Sequence, residues 1–322
     1  MSERGVDDQV VVVGAGISGA ACARELKAGG LAVRVLDRGY HPGGRMASKR
    51  LSGRVVDLGA SYLTAADPDF RRVVEDWQER GLTRPWTDTF CALGGGAPTL
   101  KQGPLRWGSA SGMRSLVVDL ASGLDVQRRE LAGLGELSDA AAVVLAMPDP
   151  QARRLLDPGH PMAARLDREF EPVIALAARW PERTWDDVSP SGHFDGAFVN
   201  ADPVLGWVAD DGRRRGDDAS VLVAHSAPDF ARRHLDDPAA AGPEMIQALR
   251  DVMGGLSEPM EVHVHRWSLA RPVGESEAAY ALETGPNGLL GVCGDGWGAS
   301  PKVETAWRSG RDLGRALVEQ LS

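Results

Sequence analysis

A glycine-rich turn set inside a strand–helix–strand unit constrains this chain more than any other feature. Gln9–Val13 is a short β-branched run of the kind that forms a buried parallel strand. It leads into Gly14-Ala15-Gly16-Ile17-Ser18-Gly19, a G-x-G-x-x-G pattern. Helix-forming residues follow from Ala20 to Lys27, and Gly29-Gly30 stops them. A second apolar run, Leu31–Leu36, ends at Asp37, 23 residues after Gly14. Gly14 permits the tight turn, Gly16 lets backbone approach a pyrophosphate, and Gly19 lets helix and strand pack closely. The helix N-terminus offers free N–H groups to phosphate. Asp37 can accept hydrogen bonds from both ribose hydroxyls, and Arg38 beside it joins the candidate set. The complete βαβ context, not the glycines alone, predicts a dinucleotide site.

The rest of the composition narrows the class. A length of 322 residues suggests about two domains. With 43% apolar and 25% charged residues, the chain has the balance of a globular protein with a large core. Its three cysteines, Cys22, Cys91 and Cys293, are widely spaced and form no C-x-x-C pair. A disulfide framework or thiolate zinc site is therefore not expected, and a reducing compartment fits. A net charge of −9 argues against a nucleic-acid partner and against an anionic membrane surface. The first apolar run, Val10–Val13, is too short for a signal-peptide core or a membrane span. A soluble cytoplasmic protein is expected.

Two further motifs separate flavin from nicotinamide cofactors. Gly43-Gly44-Arg45-Met46 follows Asp37 closely. A second glycine pair and an arginine at this place resemble FAD enzymes of the amine oxidase and phytoene desaturase type. Those usually carry an arginine two residues before the pair, where this chain has His41. Arg45 would bring a fixed cationic fork to the pyrophosphate side. Near the other end, Leu289–Cys293 reads as a strand entering Gly294-Asp295-Gly296-Trp297. Ser300-Pro301 has the chemistry of a helix start, with serine as cap, and the helix is predicted to run to about Gln320. In flavoproteins of this type the Gly-Asp pair bonds the ribityl chain. The first turn of the next helix, around Val303, faces the flavin pyrimidine edge and stabilises negative charge there.

Phrases spread over nearly the whole chain resemble the renalase family: Gly43–Met46, Asp57-Leu58-Gly59-Ala60-Ser61-Tyr62-Leu63-Thr64, Ser111-Gly112-Met113, Val144–Pro148, Gly196–Val199, His265–Ala270 and Cys293–Trp297. The resemblance implies non-covalent FAD and oxidation of the 2- and 6-dihydro isomers of NAD(P). Hydride passes to the flavin and then to O2, giving β-NAD(P)+ and hydrogen peroxide. It implies FAD contacts from Ser18, Arg45, Ser61 and Tyr62, and an aliphatic contact near adenine from Leu131. Ser61 replaces the glutamine frequent in that family. Leu131–Ala142 is shorter than the usual hairpin, and Gly212–Gly216 replaces a Lys-Pro-Gly-Arg-like phrase.

The expected architecture is α/β: a Rossmann-type FAD domain (residues 1–65, 105–150 and 276–322) and an inserted α+β substrate domain (66–104 and 151–275) on a mainly antiparallel sheet. Strands are expected at Pro172–Trp180, Gly196–Asn200, Val204–Ala209, Ser220–Ser226 and Met260–Trp267. Asp210–Asp218 is expected to be a solvated charged turn, and Lys101 to sit in a loop. Hydride transfer from a dihydropyridine needs positioning more than a protein acid or base. No firm catalytic residue is therefore assigned, and His265, Trp297 and Tyr62 are the pocket candidates. His263 and His265 share one strand face, but no third ligand completes a metal site. Two other functions stay open. One is a true amine oxidase, whose usual lysine near the flavin has only Lys101 as a candidate here. The other is a flavin-binding protein without turnover.

Overall fold

The computed structural model describes residues 9–285 and 288–322. Strand β1 (Gln9–Val13), helix α1 (Ile17–Ala28) and strand β2 (Ala32–Asp37) form the opening unit. A hairpin, β3 (Ser48–Leu51) and β4 (Arg54–Asp57), comes next. Then follow α2 (Pro68–Glu79), the long hairpin β5 (Arg84–Leu93) and β6 (Thr99–Gly108), α3 (Met113–Leu120), β7 (Asp125–Arg128), β8 (Ala142–Leu145) and α4 (Asp149–Arg153). The second half holds β9 (Phe170–Arg179), β10 (Gly196–Val199), β11 (Leu205–Asp210), α5 (Asp211–Arg215) and β12 (Val221–Ser226). It closes with α6 (Pro228–Arg233), α7 (Gly242–Val252), β13 (Glu261–Pro272), β14 (Ala281–Gly285), β15 (Gly288–Val292) and α8 (Val303–Leu321).

Two sheets carry the molecule. The first has the order β14-β15-β8-β1-β2-β7 and is parallel except at its outer strand β14. Its central residues Val10, Val12 and Val144 are fully buried, which is why these strands read as continuous apolar runs. Helix α1 lies against α8, and the contact is closed by glycine. A Cβ added at Gly310 would fall 1.9 Å from the Ser18 carbonyl oxygen, and one at Gly314 would fall 2.8 Å from that of Cys22. The second sheet runs β13-β9-β12-β11-β10-β5-β6. It is antiparallel as expected, except that β10 and β5 pair in parallel. Among the described residues, no helix is long and apolar enough to cross a membrane.

Several expectations are corrected. Asp210–Asp218 is not a solvated turn. Its centre is helix α5, and Asp211, Arg214 and Arg215 are buried. The run of charge is soluble in the core because its members neutralise one another. Lys101 is not in a loop but in β6, where it is exposed. Ser300 does not cap α8, which starts at Val303 behind Lys302; the Ser300 carbonyl instead accepts a hydrogen bond from Thr305. The expected boundary at 104/105 falls inside β6. Helix α2 was not anticipated. Its signal was present, since Asp67 caps it ahead of Pro68 and the inward positions Phe70, Val74 and Trp77 recur at helical spacing.

Candidate cofactor groove and active site

The opening turn has the geometry of a phosphate cradle. Gly14 takes φ +113°, and a Cβ there would lie 2.4 Å from the Ala146 carbonyl oxygen. The second glycine pair is folded onto the first: a Cβ on Gly44 would approach the Gly16 Cα to 3.2 Å. Gly43 donates to the Ala15 carbonyl, fixing this crossing. Asp37 ends β2 with Oδ2 accepting from the Ala15 amide (2.6 Å) and Oδ1 from the Gly39 amide (2.7 Å). No side chain caps α1, so its first amides stay available to an anion. Ser18 is buried against α8, facing the Cys293 thiol, and Arg38 is exposed. Leu131 is buried beside Leu36 and Leu145, on the opposite side of the sheet from α1.

The closing turn meets the opening one. Arg45 donates from both terminal nitrogens to Asp295, at 2.6 and 2.9 Å, and also to the Ala270 carbonyl at 3.1 Å. One guanidinium thus joins the Gly43–Met46 turn, strand β13 and the β15–α8 turn. A Cβ at Gly294 would meet nothing within 4 Å, so backbone there faces open space. Val303 begins α8, whose first turn likewise has no side-chain cap. Trp297 is buried under the Arg168 guanidinium, 4.7 Å from its ring centre, and its Nε1 has no hydrogen-bond partner among the described residues.

Asp57–Thr64 runs between the two sheets and is held from below by buried charge. Asp57 accepts from Ser48 and Met113 through Oδ1 and from Arg215 through Oδ2 at 2.6 Å. Arg215 also pairs with Asp211 at 2.9 Å, and Arg54 and Arg214 pair with Asp211 as well. Arg214 then donates to the Ser61 carbonyl at 3.0 Å. Leu58 is anchored twice, its carbonyl accepting from Trp267 Nε1 (2.9 Å) and His225 Nε2 (3.0 Å). Gly59 packs on Arg45, where a Cβ would lie 1.9 Å from the carbonyl oxygen. The loop is thereby held at Leu58, Gly59 and Ser61.

Past Ser61 the surroundings turn aromatic. The Ser61 hydroxyl accepts from Trp207 Nε1 at 3.2 Å. Tyr62 lies 5.4 Å from Phe90, 6.0 Å from Trp207 and 6.2 Å from Trp86 between ring centres. Phe198, 41% exposed, forms the rim. This wall was missed in the sequence, although Trp86 and Phe90 recur at even spacing on β5 and so share a face. His265 is less central than expected. It packs edge-on against Trp267 at 4.5 Å, and it is Trp267 that touches the Leu58–Gly59 segment. Arg266 is exposed and donates to the Leu235 carbonyl.

Two imidazoles here are held neutral. Burial, then Arg214, pushes His225 down to about 4, and burial with the charges of Lys49, His263 and Arg266 does the same to His265. Because a carbonyl can only accept, the His225 proton sits on Nε2. Both rings should remain neutral at about pH 5.5 in two-dimensional 15N–1H spectra. Titration of either near 6.5, its ordinary value, would contradict the burial argument.

Two sheets, a glycine cradle and a long closing helix define a dinucleotide-binding flavoprotein architecture, and the open backbone at Gly294, the uncapped helix starts and the Gly16–Gly44 crossing fit FAD. Residues 12–77 match the NAD(P)-binding Rossmann-like domain family. Residues 101–314, well over half of the chain, match the family described as flavin containing amine oxidoreductase. The chain belongs to that family, and its cofactor is FAD. Among curated proteins it is similar to protoporphyrinogen oxidase 2 of Arabidopsis thaliana, with 40% identity over 68 residues. That match covers 21% of this chain and 13% of the relative. Putrescine oxidase of Kocuria rosea is 35% identical over 75 residues, covering 23% and 16%. These matches thus span only a small part of the relatives' length. Among solved structures, cyclohexylamine oxidase from Brevibacterium oxydans IH-35A superposes with a TM-score of 0.73 at 14% identity, covering 98% of this chain and 99% of that one. A putrescine oxidase bound to putrescine gives 0.69 at 17% identity, covering 97% and 99%. At such identities the likeness is one of fold.

Proposed function

We propose that this protein is a renalase-like FAD-dependent oxidase acting on dihydronicotinamide isomers. Gly14, Gly16, Gly19 and Gly44 would cradle the FAD pyrophosphate, Asp37 and Arg38 would flank the adenosine ribose, and Leu131 would pack near adenine. Asp295, Gly294 and Val303 would lie along the ribityl chain and the ring's polar edge, and Arg45, Ser18, Ser61 and Tyr62 would complete the contacts. FAD supplies the hydride-accepting and oxygen-reducing chemistry. The balance is dihydroNAD(P) plus a proton plus O2, giving β-NAD(P)+ and H2O2.

The observation that carries the choice of substrate is the charge beside Tyr62. The guanidinium of Arg106 is buried 5.8 Å from the Tyr62 ring centre, and all four lysines are exposed, Lys101 among them on β6 opposite Phe90. A protonated amine would meet like charge at this wall, whereas an electron-rich, phosphate-bearing dihydropyridine would not. The protein's task is then to orient the ring between Tyr62 and its aromatic neighbours, exclude water and leave the proton inventory to solvent. The competing reading, a small-amine oxidase, draws on the names of the putrescine and cyclohexylamine oxidase relatives.

Anaerobic mixing of the yellow protein with 2- or 6-dihydroNAD(P) should bleach its visible absorbance within seconds, while primary amines leave it unchanged. Bleaching by amines alone would reverse the assignment. Bleaching by neither would favour a flavin-binding protein without turnover.

A further inference from the structure

Arg106 is the anomaly of the aromatic wall. It lies on β6, only 7% exposed. Its guanidinium carbon stands 3.9 Å from the Phe90 ring centre, a stacking contact that uses the flat face of the group. The hydrogen-bonding edge is left over. Nε and Nη1 are buried without any partner, and no carboxylate among the described residues forms an ion pair with this side chain. The other buried arginines among the described residues each hold a carboxylate: Arg214 and Arg215 pair with Asp211, and Arg311 pairs with Asp67 and Asp69. Asp88 feels the Arg106 charge weakly, but its oxygens are taken by Thr89 (2.7 Å) and Gln102 (3.1 Å). Asp195, bonded to Trp86 Nε1, stands beside His193.

A guanidinium withdrawn from water and left unpaired is unfavourable unless something completes it. Its end, Nη1 with Nη2, also has no partner among the described residues and is a planar fork, the shape that takes a carboxylate or phosphate through two parallel hydrogen bonds. The Tyr62 ring also lies under the guanidinium, Trp86 and Trp207 pack against Tyr62 and Phe90, and the half-exposed Phe198 stands at the rim.

We propose that Arg106 and these rings form a subsite for an oxyanion carried on a flat-ring substrate. The chemistry of the subsite stands on the unpaired guanidinium. The identity of its natural occupant, a phosphate of the dihydronicotinamide dinucleotide, rests on the function proposed above.

Calorimetric titration of the FAD-loaded protein with benzoate, phenyl phosphate and benzamide tests the subsite directly. At least one oxyanion should bind tenfold or more tightly than neutral benzamide, and the better of the two tells carboxylate from phosphate. Arg106→Met should abolish the preference while keeping FAD, and Arg106→Lys should keep part of it. Equal binding of all three probes, binding of none, or an undiminished preference in Arg106→Met would overturn the proposal. Should Arg106→Met not fold, the wild-type comparison with Arg106→Lys decides. If dihydroNAD(P) fails to bleach the flavin while the oxyanion preference holds, the substrate assignment falls and the subsite stands. Bleaching without any oxyanion preference removes the subsite and leaves the substrate assignment in place.

Discussion

Gly19→Ala should yield a protein that is nearly colourless, with FAD content below about a tenth of the parent. The added methyl would fall 1.9 Å from the Gly14 carbonyl oxygen and 3.0 Å from the Ala146 side chain. Neither neighbour is a flexible side-chain tip, so α1 must move away from β1. Such overpacking typically costs about 1–3 kcal/mol in stability. The larger loss is in the cradle, because lifting the helix start withdraws the amides and dipole that a pyrophosphate needs. Gly135→Ala is the matched control, since an added Cβ there meets nothing within 4 Å. It should stay yellow. A Gly19→Ala protein with full flavin absorbance would show that the close approach of helix and turn is not what positions the cofactor.

Asp211→Asn should lower the melting temperature by roughly 10 °C, on the basis of about 3–5 kcal/mol for breaking a buried ionic cluster and about 2–4 °C per kcal/mol for a chain of this size. The substitution keeps the shape of the side chain. It leaves Arg214 and Arg215 around one remaining carboxylate, Asp57, and leaves Arg54 only the half-exposed Asp217. Burial pushes the Asp211 carboxyl up, but the three guanidinium groups together pull it below its ordinary 3.8. Its folded state therefore holds on to the charge more firmly than its unfolded state does. The resulting stability is fully present above the ordinary value and is lost as pH falls through the lower folded one. The difference in melting temperature between parent and variant should stay level from about pH 8 to about pH 5 and narrow only below about pH 4. A difference under about 2 °C at neutral pH would mean that the cluster relaxes around an amide, and the rigid support of Asp57–Tyr62 would have to be sought elsewhere.

What could be read in advance follows from how local each signal is. The Gly14–Gly19 turn, the burial of β1 and β8 and the strand into Gly294-Asp295 are written in short stretches whose tasks are backbone tasks. Arg45 and Asp295 were both marked, yet their pairing across 250 positions depends on tertiary folding. The five-residue helix α5 shows the opposite case. Charge density suggests water, and only the meeting with Asp57 and Arg54 makes a buried site of it. The aromatic wall is dispersed over β5, β10, β11 and the loop after β4, so no single stretch announces it. Ser300 misled because its cap chemistry was sound but the chain stays extended through Lys302.

The order of strands in the first sheet has a bearing on synthesis. β15 lies inside that sheet, between β14 and β8, and α8 covers α1. A nascent chain on the ribosome would therefore hold its phosphate turn long before it owns the wall opposite. Capture of the prosthetic group is thus tied to the emergence of β15 and α8, and the late, long-range closure of this sheet would set the pace of holoprotein maturation.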